Sequence, residues 1–200
     1  EPHFFAGFSG GPKMAAPGLA GLATVLALHD AAHVGHPRAV WGVTEGNPIH
    51  DDIRAIARLT GVHFALDVAL NPDQAITRVF AGELFAEHAA ACAAVRRTAM
   101  RAVDAPFDVV LTTNSGYPLD QNLYQAVKGM SAAACIVKAG GTIVCAAECR
   151  DGIPDHGPYG RLLRERRSPE ELLAMVEAPG FAEQDQWQVQ VQALIQRKAR

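Results

Sequence analysis

No stretch of this chain approaches the roughly 20 consecutive apolar residues that a membrane-crossing helix needs. No charged-then-apolar secretory leader opens it either. Basic runs interleaved with aromatics are missing and the formal net charge is −3, so charge draws neither nucleic acid nor an anionic membrane to it. Zinc-knuckle spacings are absent too. The four cysteines, Cys92, Cys135, Cys145 and Cys149, lie in apolar segments, and the nearest two read CAAEC. They read as small buried hydrophobes, a usage that fits a reducing cytoplasm. There is no internal repeat, low-complexity tract or linker. With 200 residues, 49% of them apolar, the chain is large enough for a single domain over 1–200 with one sizeable core.

What is present is an alternation of helical and strand patterns. Residues 15–33 are rich in alanine and leucine and predict a buried helix, closed by Gly35 and Pro37. A short apolar run, 39–43, leads to a turn at 45–48, and residues 51–59 have helical periodicity. Residues 62–70 and 76–80 read as strands around a turn at Asn71-Pro72-Asp73, and 83–103 as a long helix. FDVVLT (107–112) and TIVCAA (142–147) read as buried strands, with a helix over 123–138 stopped by Gly140-Gly141. The tail from about 158 is helical, broken at Ser168-Pro169 and around Pro179-Gly180. Apolar strands alternating with helices predict an α/β fold, a mostly parallel sheet with helices on both faces. Ligands in such sheets gather at the carboxyl ends of strands, so the loop after FDVVLT is where chemistry is expected.

Several clusters can carry chemistry, and each also has an ordinary structural reading. The loop Gly7-Phe-Ser-Gly-Gly-Pro-Lys13 sets a primary amine among glycines, beside Gly10 and Gly11 that allow close backbone approach. Its spacing is not that of a nucleoside-triphosphate loop, because Met14 follows the lysine and Pro12 precedes it. Lys13 can meet a phosphate or an acyl group, or simply be a solvated lysine at a turn. His29 and His33, four apart on one helix, would share a face that can hold zinc or nickel, with His36 beyond the helix end. No carboxylate or cysteine completes that set, so a three-histidine zinc site and a single ligating histidine supplemented by a non-protein ligand both stay open. Asp120 can cap a helix starting near Asn122. Along that helix Tyr124, Gln125 and Lys128 gather a phenol, an amide and an ammonium, suited to a small carboxylate or to an ordinary wet helix face. The acids of ECRDGIPDH, after TIVCAA, orient a cofactor or solvate a loop. His50, His63 and His88 read as structural, and Trp187 packs over a pocket or against the core.

Taken together, His3, the GFSGGPK loop ending in Lys13, His29 and NSGYPLDQNLYQAVKG (114–129) resemble the C-terminal domain of the nickel-dependent lactate racemase family. The likeness runs from the first residues to Asp151-Gly152, with Trp187 a further match. It implies a nickel-pincer nucleotide, a pyridinium-3-thioamide-5-thiocarboxylate mononucleotide made by separate enzymes and linked to Lys13, with Gly10 and Gly11 beside it. His29 matches the protein ligand of the nickel, whose other donors are two sulfurs and a ring carbon of the cofactor. His3 matches one of two histidines that remove and return the hydroxyl proton of a 2-hydroxy acid while its hydride passes to the cofactor and back. Gln125 and Lys128 match residues that hold the substrate carboxylate, and Tyr124 and Trp187 line the site.

The resemblance further implies that the other histidine and a substrate arginine belong to an N-terminal domain. The chain opens on Glu1 with its richest motif already at residue 3, so the expectation is the C-terminal piece of a two-domain cytoplasmic enzyme, inactive alone. The alternatives are a related pincer-nucleotide oxidoreductase and a non-catalytic nucleotide- or metal-binding module.

Overall fold

Asn47, Glu83, Asn122 and Ser168 each turn a side-chain oxygen onto the first unpaired N–H groups of a helix, and these caps set where four helices begin. The computed structural model describes residues 1–166 and 168–200. In chain order the elements are β1 (Pro2–His3), β2 (Gly7–Phe8), a 3-10 helix at Gly11–Met14, α1 (Leu22–Leu28), α2 (Ala31–Val34) and α3 (Pro48–Thr60). Then come β3 (Ala65–Leu70), β4 (Ile76–Gly82), α4 (Leu84–Ala99), β5 (Phe107–Thr113) and α5 (Leu123–Ala134). Last are β6 (Val137–Ala146), α6 (Tyr159–Glu165), α7 (Pro169–Val176) and α8 (Gln186–Lys198). Where the sequence reads as one domain, the chain gathers into two compact units: Glu1–His29 with His36–Ala102, and Asp30–Gly35 with Val103–Arg200.

In the first unit β1 and β2 pair antiparallel, with His3 opposite Gly7. β3 and β4 form an antiparallel hairpin in which the Asn71 side chain accepts the Ala75 N–H at 2.9 Å and closes the turn. The 3-10 helix packs against α3 and α4. Phe5, Phe8, Ile49, Ile53 and Leu84 are buried there.

In the second unit β5 and β6 are parallel, Leu111 lying opposite Val144, as the two apolar runs predict for an α/β fold. α5 packs against both strands and α8 against α5, α7 and β6. Tyr159, Leu162, Leu173, Val176 and Val189 form the core beside them, each contributing about 1.5–3 kcal/mol by leaving water. The strands are less buried than their apolar runs suggest: Val109, Leu111 and Val144 are 61%, 73% and 48% exposed.

Four local expectations change. The helix over 15–33 breaks into α1 and α2, because the Asp30 side chain accepts the His33 N–H at 2.8 Å and starts a new helix. Helix α5 stops at Ala134, and Gly140-Gly141 lies inside β6 rather than after a helix. The helix read over 51–59 starts earlier, at Pro48 beneath the Asn47 cap. Of the four cysteines only Cys92 is buried, Cys135 is exposed, and Cys145 and Cys149 are half-buried. Among the described residues no helix is long and apolar enough to cross a membrane.

Candidate functional site

Two histidines of the first unit converge on one aromatic ring. The buried Phe5 ring meets the His3 ring edge-on at 4.7 Å and the His29 ring edge-on at 5.1 Å. His29 ends α1, is 5% exposed, and its Nδ1–H donates to the Val25 carbonyl at 2.7 Å. With the ring proton held on Nδ1, Nε2 of the neutral ring carries the lone pair a metal needs. His3 has the opposite arrangement: its Nδ1 accepts the N–H groups of Ala6 at 3.1 Å and Phe5 at 3.5 Å. The proton of neutral His3 therefore sits on Nε2, and taking up a second one means giving up the Ala6 bond.

Lys13 lies in the same unit, on the 3-10 helix that Gly10 starts, and its N–H donates to the Gly10 carbonyl at 3.1 Å. The turn before it is gripped from two elements. The Gly11 N–H donates to Asp67 Oδ2 on β3 at 2.8 Å, and His88 Nε2–H on α4 donates to the Ser9 carbonyl at 3.2 Å. A Cβ on Gly11, whose φ is +49°, would lie 2.5 Å from the His88 ring, and one on Gly10 would lie 2.8 Å from the Asp67 carboxylate. The close approach these glycines permit is thus to the protein's own side chains. Sequence reasoning overlooked Phe5, and it gave Asp67 and His88 no part in this turn. The last two lie 56 and 79 residues from their partners, beyond any local pattern.

In the second unit α5 starts at its cap Asn122, and the Lys128 ammonium donates to Gln125 Oε1 at 2.7 Å. The three-residue spacing thus makes the amide–ammonium pair the sequence predicts. Gly129 lets α5 run close to the end of β5: a Cβ there would lie 2.4 Å from the Thr113 carbonyl. Trp187 on α8 is 9% exposed and donates its Nε1–H to the Tyr124 hydroxyl at 3.0 Å. Burial pushes the Tyr124 phenol up to about 12, so it stays a neutral donor at physiological pH. Gln188 Nε2 donates to the Tyr124 carbonyl at 2.5 Å, fixing the same residue by its backbone.

Other candidates are placed differently. Asp120 does not cap α5. Its Oδ2 accepts the Glu148 N–H at 3.0 Å and ties the loop before α5 to the one after β6. His33 Nδ1–H donates to Asp30 at 2.8 Å, and the break between α1 and α2 removes the helical face it would share with His29. His50 and His88 are buried and stack at 5.8 Å, with His50 held down to about 4 by burial and then by His88. Among the described residues no group of three His, Cys, Asp or Glu side chains could hold a metal ion. A metal at His29 would need its remaining donors from a non-protein ligand.

Comparison with protein families matches residues 102–200 to the lactate racemase C-terminal domain and residues 1–42 to the lactate racemase N-terminal domain. His3, Lys13 and His29 fall in the second match, and Tyr124, Gln125, Lys128 and Trp187 in the first. The chain is 42% identical over 198 residues to a lactate racemase of Thermoanaerobacterium thermosaccharolyticum. It is 41% identical over 197 residues to one of Lactiplantibacillus plantarum. Each alignment covers 98% of this chain and 46% of the relative, so the chain spans about half the length of these curated relatives. Among solved structures, the apoprotein of the lactate racemase from T. thermosaccharolyticum superposes with a TM-score of 0.94 at 40% identity. That match covers 100% of this chain and 48% of the other.

Proposed function

This chain belongs to the lactate racemase family, and from that premise we propose that it supplies the metal-ligating, tethering and substrate-holding residues of a 2-hydroxy acid racemase. The observation that supports this most is the His3–Phe5–His29 arrangement in the unit that carries Lys13. His29 has the tautomer of a metal ligand, which suits a cofactor that brings donors of its own. The residues therefore fit a lysine-linked nickel-pincer nucleotide. When bound, that group supplies a centre able to take a hydride from the hydroxyl-bearing carbon and return it.

The chain's own residues do the rest. Lys13 provides the amine for the tether and His29 Nε2 the nickel ligand. His3 handles the hydroxyl proton, its Nδ1 giving up the Ala6 N–H as it takes that proton. Lys128 holds the substrate carboxylate by charge, and the Gln125 amide, already bonded to Lys128, orients it. Tyr124 and Trp187 give a neutral, largely apolar wall with one directed hydroxyl.

Mass spectrometry of the full-length protein coexpressed with the cofactor-making enzymes tests the reading. An adduct at Lys13 that disappears in Lys13→Ala is expected, along with conversion of a single hydroxy acid enantiomer to the racemate. An unmodified Lys13 in a nickel-replete, active preparation would overturn the tethering role.

A further inference from the structure

We infer that Asp67 and His88 are positioning residues for Lys13, a step that rests on Lys13 being the cofactor tether. Both reach the turn before the lysine from elements distant in sequence. Asp67, on β3, accepts the Gly11 N–H at 2.8 Å. His88, on α4, donates to the Ser9 carbonyl at 3.2 Å. The two bonds bracket Gly10, and the Gly10 carbonyl in turn accepts the Lys13 N–H at 3.1 Å. The path from either side chain to the lysine backbone is therefore two hydrogen bonds and one residue long.

Losing either grip would also empty the space beside the turn and let it move. Gly10 and Gly11 hold φ values of +80° and +49°, and the sides where a Cβ would stand are filled by the Asp67 carboxylate and the His88 ring. Both gripping groups are themselves fixed. His88 is 2% exposed, stacked on His50 at 5.8 Å, with the Cys92 sulfur 3.5 Å from its Nε2. Asp67 is held in register opposite Phe80 on β4. A tether attached to a loose turn would let a covalently bound group swing, whereas a catalytic group needs sub-ångström placement. Neither residue needs to touch the cofactor or the substrate for this, and the same grip would act before any cofactor is attached.

The reactivity of the Lys13 amine in the cofactor-free chain reads this directly. Competitive acetylation followed by peptide mass spectrometry compares Lys13 with Lys128, Lys138 and Lys198 as internal references. In Asp67→Ala and His88→Ala the relative Lys13 rate is expected to change by about threefold or more. Asp67→Asn, which keeps an acceptor for Gly11, and His88→Gln, which keeps a donor for Ser9, are expected to restore it. Loss of structure in the first unit would move the Glu1 amine together with Lys13, and a general loss would move all four lysines, whereas a loosened turn moves Lys13 alone.

Should the alanine variants not fold, hydrogen exchange in the wild-type chain decides instead. The Gly11 amide is expected to be protected about tenfold or more beyond an open loop. A Gly11 amide exchanging at the open-loop rate, or Lys13 labelling unchanged in folded Asp67→Ala and His88→Ala, overturns the inference. If instead the labelling shifts as expected but the loaded wild-type protein carries no adduct at Lys13, the tethering reading fails and the grip on the turn stands.

Discussion

The Trp187 indole N–H donates to the Tyr124 hydroxyl at 3.0 Å, joining α8 to the helix that carries Gln125 and Lys128. Residues 63 apart in sequence are thus joined, and a half-buried phenol has its direction set by an indole.

Trp187→Phe keeps the ring but removes that donor. The change is expected to cost about 1 kcal/mol in denaturant unfolding. The indole hydrogen bond favours the phenolate and partly offsets the burial that raises the Tyr124 phenol to about 12, so its loss moves the phenol further up. Because the folded value lies above the unfolded one of about 10, the stabilising contribution is complete below that pH and fades between there and about 12. Alkaline titration followed by tyrosine NMR in both proteins checks the direction.

Acid should act through His50. Its folded value of about 4, lowered first by burial and next by His88, lies well below the unfolded value of about 6.5. The unfolded chain therefore takes the proton first. Stability is full above pH 6.5 and declines as pH falls toward about 4, by up to about 3 kcal/mol over the whole interval. Urea unfolding across that range should show the slope, and His50→Phe should flatten it.

If Lys128 and Gln125 hold the substrate carboxylate as proposed, Lys128→Met and Gln125→Ala separate charge from orientation there. Removing the charged donor should raise KM about 10- to 100-fold, the loss of a charge-assisted hydrogen bond. Gln125→Ala frees the ammonium from its 2.7 Å partner and should cost less in KM and more in kcat. Steady-state kinetics on a cofactor-loaded racemase preparation measures both.

Gly11→Ala should destabilise the first unit by about 1–3 kcal/mol, since the new Cβ would lie 2.5 Å from the His88 ring in a backbone with φ +49°. Gly61→Ala is the control. It shares the positive φ, +68°, with nothing within 4 Å, so it should show only the backbone cost of about 1 kcal/mol. Thermal unfolding of the two variants separates contact from strain.

Much of the layout could be read locally. The Asn71-Pro72-Asp73 turn acts within a few residues, so the strands around it followed from spacing, whereas the cap read at Asp120 is made by Asn122 and the helix read from 51 starts at Pro48. The Gln125–Lys128 pair followed from spacing too, because residues three apart on a helix face one another. Local reasoning failed where two local preferences competed. Alanine and leucine favour one helix over 15–33, yet the Asp30 carboxylate, by capping a second one, divides it and separates His29 from His33.

By itself the sequence determined the α/β character, the parallel pairing of β5 with β6 and the order of motifs that resembles the lactate racemases. Those are properties of periodicity, capping and spacing along the chain. Tertiary structure alone decided the Trp187–Tyr124 hydrogen bond and the hold of Asp67 and His88 on the turn before Lys13. Most of these depend on which backbone carbonyl, N–H or ring lies within about 3 Å after folding. For side chains 56 to 79 residues from their partners, no periodic pattern encodes that distance.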